Sequence, residues 1–302
     1  MQESLQAPPI SARVVRARAY VELGRVSNLP TVWSNVLAGI ILAGGQPTAA
    51  GFGALAVATS LLYVGGTFLN DAFDWRFDEK ARPERPIPSG RVAVGEAHAI
   101  GFGLLAAGIA VLLLQALAPG GRGSLAPVLS GLGLAGAIVL YDAWHQHNPL
   151  SPLLMGLCRI GVYVTAGFAV SARPDGELLA GAFVLLAYLL GVTFLARQDD
   201  ASKLRHLWPL GFLAAPLVYC SPALFGRPAW AALFVGFVGW VGHSVRRVRR
   251  GEAGPAGAQL IAGICLLDAL LIAGARGGLV QVFLAVGCFG ATLALQRLVK
   301  AT

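Results

Sequence analysis

The chain has 302 residues, of which 56% are hydrophobic and 13% are charged. A soluble domain carries about 25% charged residues, so this composition excludes an ordinary soluble protein and indicates an integral membrane protein. The net charge of +8 does not indicate a nucleic-acid partner, because basic residues in membrane proteins mostly follow topology. The four cysteines lie inside apolar runs without metal-ligand spacing, as is typical of small packing residues.

The N-terminal segment, residues 1–26, is polar and rich in arginine. Between Ser11 and Arg25, valines and Tyr20 alternate with arginines, which predicts a short helix lying on an anionic membrane surface. A solvated basic tail is the alternative. We therefore divide the chain into a basic N-terminal tail, 1–26, and a single transmembrane domain, 27–302.

Ten apolar runs follow this tail, and most have the roughly 17–25 residues that a spanning helix needs. Gly/Pro breaks separate them, and no long hydrophilic segment stands between them. This pattern predicts an all-α integral membrane protein of nine to ten transmembrane helices, with ten preferred. The runs lie at about 29–46, 50–70, 96–118, 125–141, 150–171, 178–196, 206–223, 228–244, 257–275 and 278–296.

The distribution of basic residues predicts the topology. With ten spans and a cytoplasmic N-terminus, only Arg122, Arg173, Arg227 and Arg276 of the 23 Lys and Arg residues fall in outer loops, as the positive-inside rule requires. We therefore expect a multi-pass protein of the cell inner (plasma) membrane. The second and sixth spans then end in acidic segments on the same side, which predicts two pseudo-repeated four-helix halves sharing a polar site.

The densest polar stretch runs from Asn70 to Arg91, directly after the second apolar run. It begins N-D-x-x-D-x-x-x-D, a spacing that places one carboxamide and three carboxylates on one helix face. Such a row repels itself without a counter-ion. Carboxylates that leave room for water and phosphate are typical of Mg²⁺ sites, so the stretch predicts a magnesium site.

This motif and the R-P-x-R-P-I-P-S-G that follows it resemble the first aspartate-rich motif and loop of the UbiA superfamily of intramembrane prenyltransferases. The resemblance implies a UbiA-type multi-helix bundle, in which Mg²⁺ holds the diphosphate of an isoprenyl donor. It makes residues 27–302 a prenyltransferase-like domain. The implied metal ligands are Asn70, Asp71, Asp74 and Asp78.

Asp71 and Asp74 are also predicted to be catalytic through this role. Guanidinium groups bind phosphate bidentately, so Arg82 and Arg85 in the following loop are predicted diphosphate ligands. The alternative for both arginines is that they only mark the cytoplasmic side.

Three further residues extend the predicted site. Tyr141 and His145 match the Y-x-x-x-K of the family at the end of the fourth helix, with His145 in place of the lysine. Tyr141 or an acid nearby is predicted to orient or deprotonate the acceptor, and His145 to bind the diphosphate, unless Tyr141 and His145 are ordinary interfacial residues. Arg159 lies about 13 Å deep in the fifth helix, where an unpaired charge is costly. We predict that it reaches the diphosphate or pairs with an acid such as Asp142, a structural ion pair being the alternative.

The second aspartate-rich motif departs from the family pattern D-x-x-x-D, because this chain has Ala196-Arg197-Gln198-Asp199-Asp200 there. Asp199 and Asp200 are predicted metal ligands and Arg197 a diphosphate ligand. The alanine at the first position removes one ligand, which questions a two-metal scheme or catalysis itself. The segments 140–159 and 196–198, together with 25–31 and Asn35, are similar to an EboC-like branch of the superfamily.

The sequence therefore predicts a Mg²⁺-dependent enzyme that transfers an isoprenyl group from an isoprenyl diphosphate to a hydrophobic or amphipathic small molecule, aromatic or other, at the cytoplasmic face of the bilayer. A non-catalytic UbiA-fold protein that binds a polyprenyl phosphate is the alternative. A secondary transporter is disfavoured, because the acidic motifs lie at helix ends and not at the bilayer midplane. Asp268, among leucines of the ninth run, is predicted to be either functional or protonated and hydrogen-bonded to a neighbouring helix.

Overall fold

The structure, a computed structural model, describes residues 12–118, 123–146, 148–173, 176–196, 208–275 and 277–298. Within these ranges the regular elements are helices, as predicted. Short 3-10 turns at Val26–Asn28 and Ser221–Phe225 accompany them. The twelve α-helices are α1 Ala12–Leu23, α2 Leu29–Leu42, α3 Ala49–Phe73, α4 Trp75–Ala81, α5 Val94–Leu117, α6 Ala126–Trp144, α7 Ser151–Val170, α8 Gly176–Ala196, α9 Trp208–Cys220, α10 Pro228–Arg249, α11 Ala253–Gly274 and α12 Leu279–Leu298.

Nine helices in the described ranges are long and apolar enough to cross a membrane, counting α9 with the turn that follows it. The prediction of nine to ten spans is confirmed, and the chain is a multi-pass membrane protein. The tenth apolar helix is α2, which has 14 residues and is therefore only about 21 Å long. The repetition of two four-helix halves stays a prediction.

Helix α2 lies at the centre of the bundle. It packs against α3, α7, α11 and α12, and every residue except Leu29 and Trp33 is buried. Trp33 reaches outward and donates from Nε1 to the Ser60 hydroxyl at 2.9 Å. Because α2 is surrounded by protein, its polar side chains need hydrogen-bond partners. The Thr31 and Ser34 hydroxyls lie 2.7 and 3.1 Å from nearby backbone carbonyl oxygens. Thr31, Ser34 and Asn35 also contact polar groups of α7 and α11.

Helices α2 and α7 approach each other closely at Gly39. A Cβ atom there would lie 2.6 Å from the Tyr163 carbonyl oxygen and 3.0 Å from the Ala166 Cβ. A backbone carbonyl cannot move away without separating the two helices. Gly39→Ala is therefore expected to lower the free energy of unfolding by about 1–3 kcal/mol, seen as a lower melting temperature in detergent.

Gly53 on α3 is the matched control, because a Cβ there would meet nothing within 4 Å. Gly53→Ala is expected to keep or slightly raise the melting temperature, since alanine favours the helix. Equal melting temperatures for the two variants would contradict the close packing at Gly39.

The predicted N-terminal helix is present as α1, which docks on the bundle. Ala19 and Leu23 are buried in a cluster with Phe68 and Ile87. Glu96 on α5 pairs with Arg16 at 2.6 Å and accepts a hydrogen bond from the Tyr20 hydroxyl. Glu22 on α1 pairs with Arg91 at 3.0 Å. Contact of α1 with a membrane surface, and the boundary between tail and domain at residue 26, stay predictions.

Candidate active site

The aspartate motif spans the junction of α3 and α4. Asn70 and Asp71 lie in the last turn of α3, Asp74 stands between the two helices, and Asp78 lies on α4. The sequence predicted a single helix face for these residues. The structure differs, because α3 ends at Phe73 and α4 begins at Trp75. Asp74 links them by accepting backbone hydrogen bonds from Phe77 and Asp78, both at 2.9 Å.

Two arginines form ion pairs with the motif carboxylates of Asp71 and Asp78. Arg85 is buried and places Nη1 2.7 Å from Asp78 Oδ2 and 3.5 Å from Asp71 Oδ1. Arg25 donates to the same Asp71 oxygen at 2.7 Å and to Asn70 Oδ1 at 3.1 Å. Both buried acids therefore have a cationic partner, as a charge removed from water requires.

Arg25 is a site residue that the sequence did not identify as one. Its backbone is left-handed, with φ 42° and ψ 44°, which is uncommon for a residue other than glycine. Such a conformation persists where surrounding contacts hold it, and here the contacts are the hydrogen bonds to Asn70 and Asp71. The available signal was its position, a lone arginine directly before the first apolar run.

Asp74 faces the end of α6. His145 Nε2 lies 3.1 Å from Asp74 Oδ2, and the Gln146 amide donates to Asp74 Oδ1. The hydrogen bond to Asp74 raises the pKa of the His145 imidazole above its ordinary value. This favours the imidazolium form of His145 beside the Asp74 carboxylate. The Tyr141 ring stacks on His145 at 4.9 Å between centroids.

Asp142 connects this acidic region to a cavity. Its Oδ1 accepts from the Asn70 amide at 3.3 Å, whereas Oδ2 is buried without a hydrogen-bond partner among the described residues. An unsatisfied buried carboxylate oxygen is unfavourable. The atom is therefore a natural point of attachment for a cation or a donor group of a ligand.

The cavity has a volume of about 450 Å³. Arg25, Asn70, Tyr141 and Asp142 line the part of it beside the aspartate motif, which we call its polar end. The remaining walls are mostly apolar and come from α2, α3, α6, α7, α8 and α11. Their residues include Val32, Leu62, Ile138, Val162, Leu189 and Ile264. A small set of convergent polar groups on an apolar cavity is the usual form of a small-molecule site.

Arg159 lines the same cavity from α7. The predicted pairing with Asp142 is wrong. Nη1 of Arg159 instead donates to Thr31 Oγ1 at 3.0 Å and Asn35 Oδ1 at 3.3 Å, and the guanidinium carbon lies 5.3 Å from the Tyr63 ring centroid. The reason is geometric, because the side chain points toward α2 and not toward the end of α6.

The relationship to known proteins follows from comparison of the whole chain. The UbiA prenyltransferase family profile matches residues 32–263, well over half of the sequence. The chain belongs to the UbiA prenyltransferase family. The resemblance of the motif beginning at Asn70 is thereby confirmed, as is the interpretation of the chain as an enzyme of this family.

Two similar relatives share one name. Digeranylgeranylglyceryl phosphate synthase from Methanopyrus kandleri is 32% identical over 210 residues, which cover 67% of this chain and 70% of that protein. The synthase of the same name from Ignicoccus hospitalis is 42% identical over 93 residues, but these cover only 31% of this chain and 30% of that protein. Similarity to the second relative is therefore confined to less than a third of either chain.

Solved structures of UbiA proteins have the same fold. The apo structure of a UbiA homologue from Aeropyrum pernix has a TM-score of 0.59 and 17% identity, covering 81% of this chain and 97% of that one. A structure of digeranylgeranylglyceryl phosphate synthase also has a TM-score of 0.59, with 16% identity over 86% of this chain and 98% of that one. At these identities the likeness concerns the fold, and it confirms the predicted UbiA-type bundle.

In this UbiA protein the donor set suits Mg²⁺. Asn70, Asp71, Asp74 and Asp142 present hard oxygen ligands, and Oδ2 of Asp142 has no competing partner among the described residues. The described part of the chain nevertheless contains no group of three His, Cys, Asp or Glu side chains already gathered around one point. The motif carboxylates are engaged by Arg25, Arg85, His145 and Gln146.

The structure thus brings together most of the predicted site residues. Asn70, Asp71, Asp74, Asp78, Arg85, Tyr141 and His145 form one connected region. Arg82 is exposed at the end of α4. The predicted residues Arg197, Asp199 and Asp200 lie outside the described residues. Gln146, Asn35 and Thr31 were not predicted as site residues, since isolated amide and hydroxyl side chains carry little signal in a sequence.

Proposed function

We propose that this UbiA family protein transfers an isoprenyl group from an isoprenyl diphosphate to a hydrophobic or amphipathic acceptor in a Mg²⁺-dependent reaction. One observation supports the proposal above all. The segment Asn70–Arg85, with its acidic and basic side chains, borders a mostly apolar cavity through Asn70. A donor with a charged head and a hydrocarbon tail needs both surroundings within one site.

The diphosphate would lie at the polar end of the cavity. Arg82, Arg85, His145 and Arg197 are the proposed diphosphate ligands, and Arg25 joins them because of its place on the cavity wall. The residues proposed to hold magnesium are Asn70, Asp71, Asp74 and Asp78, with Asp199 and Asp200. When bound, Mg²⁺ supplies electrostatic stabilisation of the negative charge on the departing diphosphate.

The cavity walls would protect the reacting carbon. Breaking the C–O bond of an allylic diphosphate leaves an allylic cation, and the apolar side chains of α3, α6, α7 and α11 exclude water that would quench it. Tyr141 lines the same cavity and is proposed to orient or deprotonate the acceptor nucleophile. The bond that forms joins this nucleophile to the isoprenyl carbon, while diphosphate leaves.

We place the site at the cytoplasmic face of the cell membrane, with the N-terminus on the same side. Support comes from the exposed arginines that end α10, Arg246, Arg249 and Arg250, and from Arg13, Arg16 and Arg18 of α1. The positive-inside rule assigns such clusters to the cytoplasm.

The proposal is tested with purified protein in lipid nanodiscs, radiolabelled geranylgeranyl diphosphate and Mg²⁺. We expect acceptor-dependent release of diphosphate, abolished by chelation of Mg²⁺. The acceptor panel should include an isoprenyl glyceryl phosphate, because the similar relatives are digeranylgeranylglyceryl phosphate synthases, and aromatic acids. Tight binding of the donor without turnover on any acceptor would instead support the non-catalytic alternative.

A further inference from the structure

A second polar cluster lies inside the bundle, away from the aspartate motif. Asp268 on α11 is completely buried. Its Oδ2 accepts from the Ser34 hydroxyl at 2.5 Å and the Asn35 amide at 2.9 Å, and its Oδ1 accepts from the Tyr163 hydroxyl. The predicted hydrogen bonding of Asp268 to neighbouring helices is thus confirmed. Three side chains from two neighbouring helices, α2 and α7, converge on it.

Asn35 links this carboxylate to the cavity. Its amide nitrogen donates to Asp268, and its carbonyl oxygen accepts from Arg159 Nη1 at 3.3 Å. A carboxylate only accepts and a guanidinium only donates. The Asn35 side chain, held between the two, therefore has a single satisfactory orientation. By accepting from the Asn35 amide nitrogen, Asp268 keeps the Asn35 carbonyl oxygen turned toward Arg159, where it accepts from Nη1.

Arg159 has donor groups left over. Among the described residues its guanidinium hydrogen-bonds only through Nη1, to Thr31 and Asn35. Because Arg159 lines the cavity, its remaining N–H groups are available to a ligand there. Tyr63, beneath the guanidinium, precedes Asn70 by seven residues on α3, which places it about 10 Å deeper along the helix.

We propose that Asp268 is a positioning residue that orients Asn35, so that Asn35 holds Arg159 in the cavity wall as a binding group for anionic oxygens of a substrate. The inference rests on the proposed function and deepens it. Phosphate or carboxylate oxygens fit a guanidinium equally, and they belong either to the donor diphosphate or to an anionic acceptor. Asp268 itself touches neither substrate.

The test measures equilibrium binding of two probes, geranylgeranyl diphosphate and geranylgeranylglyceryl phosphate, to the full chain in nanodiscs. Arg159→Gln is expected to raise the Kd of one probe by about tenfold to a hundredfold, the usual worth of a hydrogen bond to a charged group. Asp268→Leu, which removes the acceptor atoms at similar size, is expected to raise the same Kd by about tenfold. The affected probe identifies which substrate Arg159 binds.

A double-mutant cycle separates positioning from general damage. If Asp268 acts through Arg159, Asp268→Leu adds nothing to the Kd once Arg159→Gln is present. Tyr163→Phe is the matched control, because it removes one donor to Asp268 and leaves the link from Asn35 to Arg159 in place. It is expected to leave both Kd values unchanged, even where the melting temperature falls.

A charge-relocation variant covers the case in which Asp268→Leu does not fold. In Asn35→Asp/Asp268→Asn, the new carboxylate at position 35 can accept from both Arg159 and the amide at 268. We expect its Kd values to lie within about threefold of the parent. Additive effects in the cycle, an equal rise in Tyr163→Phe, or weak binding by the relocated pair would overturn the inference. Absent turnover with these Kd patterns intact would overturn only the proposed function.

Discussion

Asp74→Asn is expected to lower the rate of diphosphate release by about 10²- to 10³-fold, the range seen when one electrostatic contribution to a transition state is removed. The asparagine keeps the shape of the side chain but removes the negative charge that faces His145 and Gln146. In the proposed mechanism this charge is also needed for magnesium. The measurement is turnover of radiolabelled geranylgeranyl diphosphate at saturating Mg²⁺.

Glu79→Gln is the control for Asp74→Asn. Glu79 carries the same charge five residues later, but it is exposed on α4, so its substitution is expected to leave turnover within about twofold, as for most surface changes. Undiminished turnover by Asp74→Asn would remove Asp74 from the catalytic residues. A parallel loss in Glu79→Gln would indicate that general surface charge, and not the motif, controls the reaction.

Arg85→Met is expected to lower the free energy of unfolding by about 3–5 kcal/mol, because it leaves a buried carboxylate without its cation. Asp78 is only 2% exposed, and its one ion pair among the described residues is with Arg85. Asp71 is less affected, since Arg25 remains 2.7 Å away. Unfolding in mixed micelles of increasing SDS content measures the loss.

Removing both charges should reverse most of this effect. The double variant Arg85→Met/Asp78→Leu has no stranded charge and is expected to recover stability to within about 1 kcal/mol of the parent. Arg82→Met supplies the matched control, as Arg82 is exposed and its loss should change stability by less than about 0.5 kcal/mol. An unstable double variant would show that Arg85 stabilises the loop through contacts other than Asp78.

The helical fold and the acidic motif of the site could be predicted from the sequence, for physical reasons. Apolar runs of membrane-spanning length have few alternatives to helices in lipid, and nearly every predicted run became a long helix. The acidic motif was recognisable because charged side chains are rare in such a chain. The break between α3 and α4 at Asp74 was missed, since a one-residue departure from helical geometry leaves the i, i+4 spacing of acids almost unchanged.

Contacts between distant helices could not be predicted in the same way. Arg25 and Asp71 are 46 positions apart, and nothing in either segment specifies how α2 and α3 rotate about their axes. The same uncertainty made Asp142 a reasonable partner for Arg159, whereas the structure gives Thr31 and Asn35. Gln146 was overlooked because its role depends on the turn that follows α6.

The central position of α2 has a consequence for how the protein is made. Chains leave the ribosome N-terminus first, so α2 is the first of these apolar helices to reach the membrane. Partners of its polar side chains on other helices are synthesised much later. Arg159 follows Thr31 by 128 residues, and Asp268 follows Ser34 by 234. Thr31 and Ser34 can already donate to nearby backbone carbonyls, but Asn35 lacks both of its partners until α7 and α11 have inserted. The first of the apolar helices to be synthesised is therefore among the last to be fully enclosed.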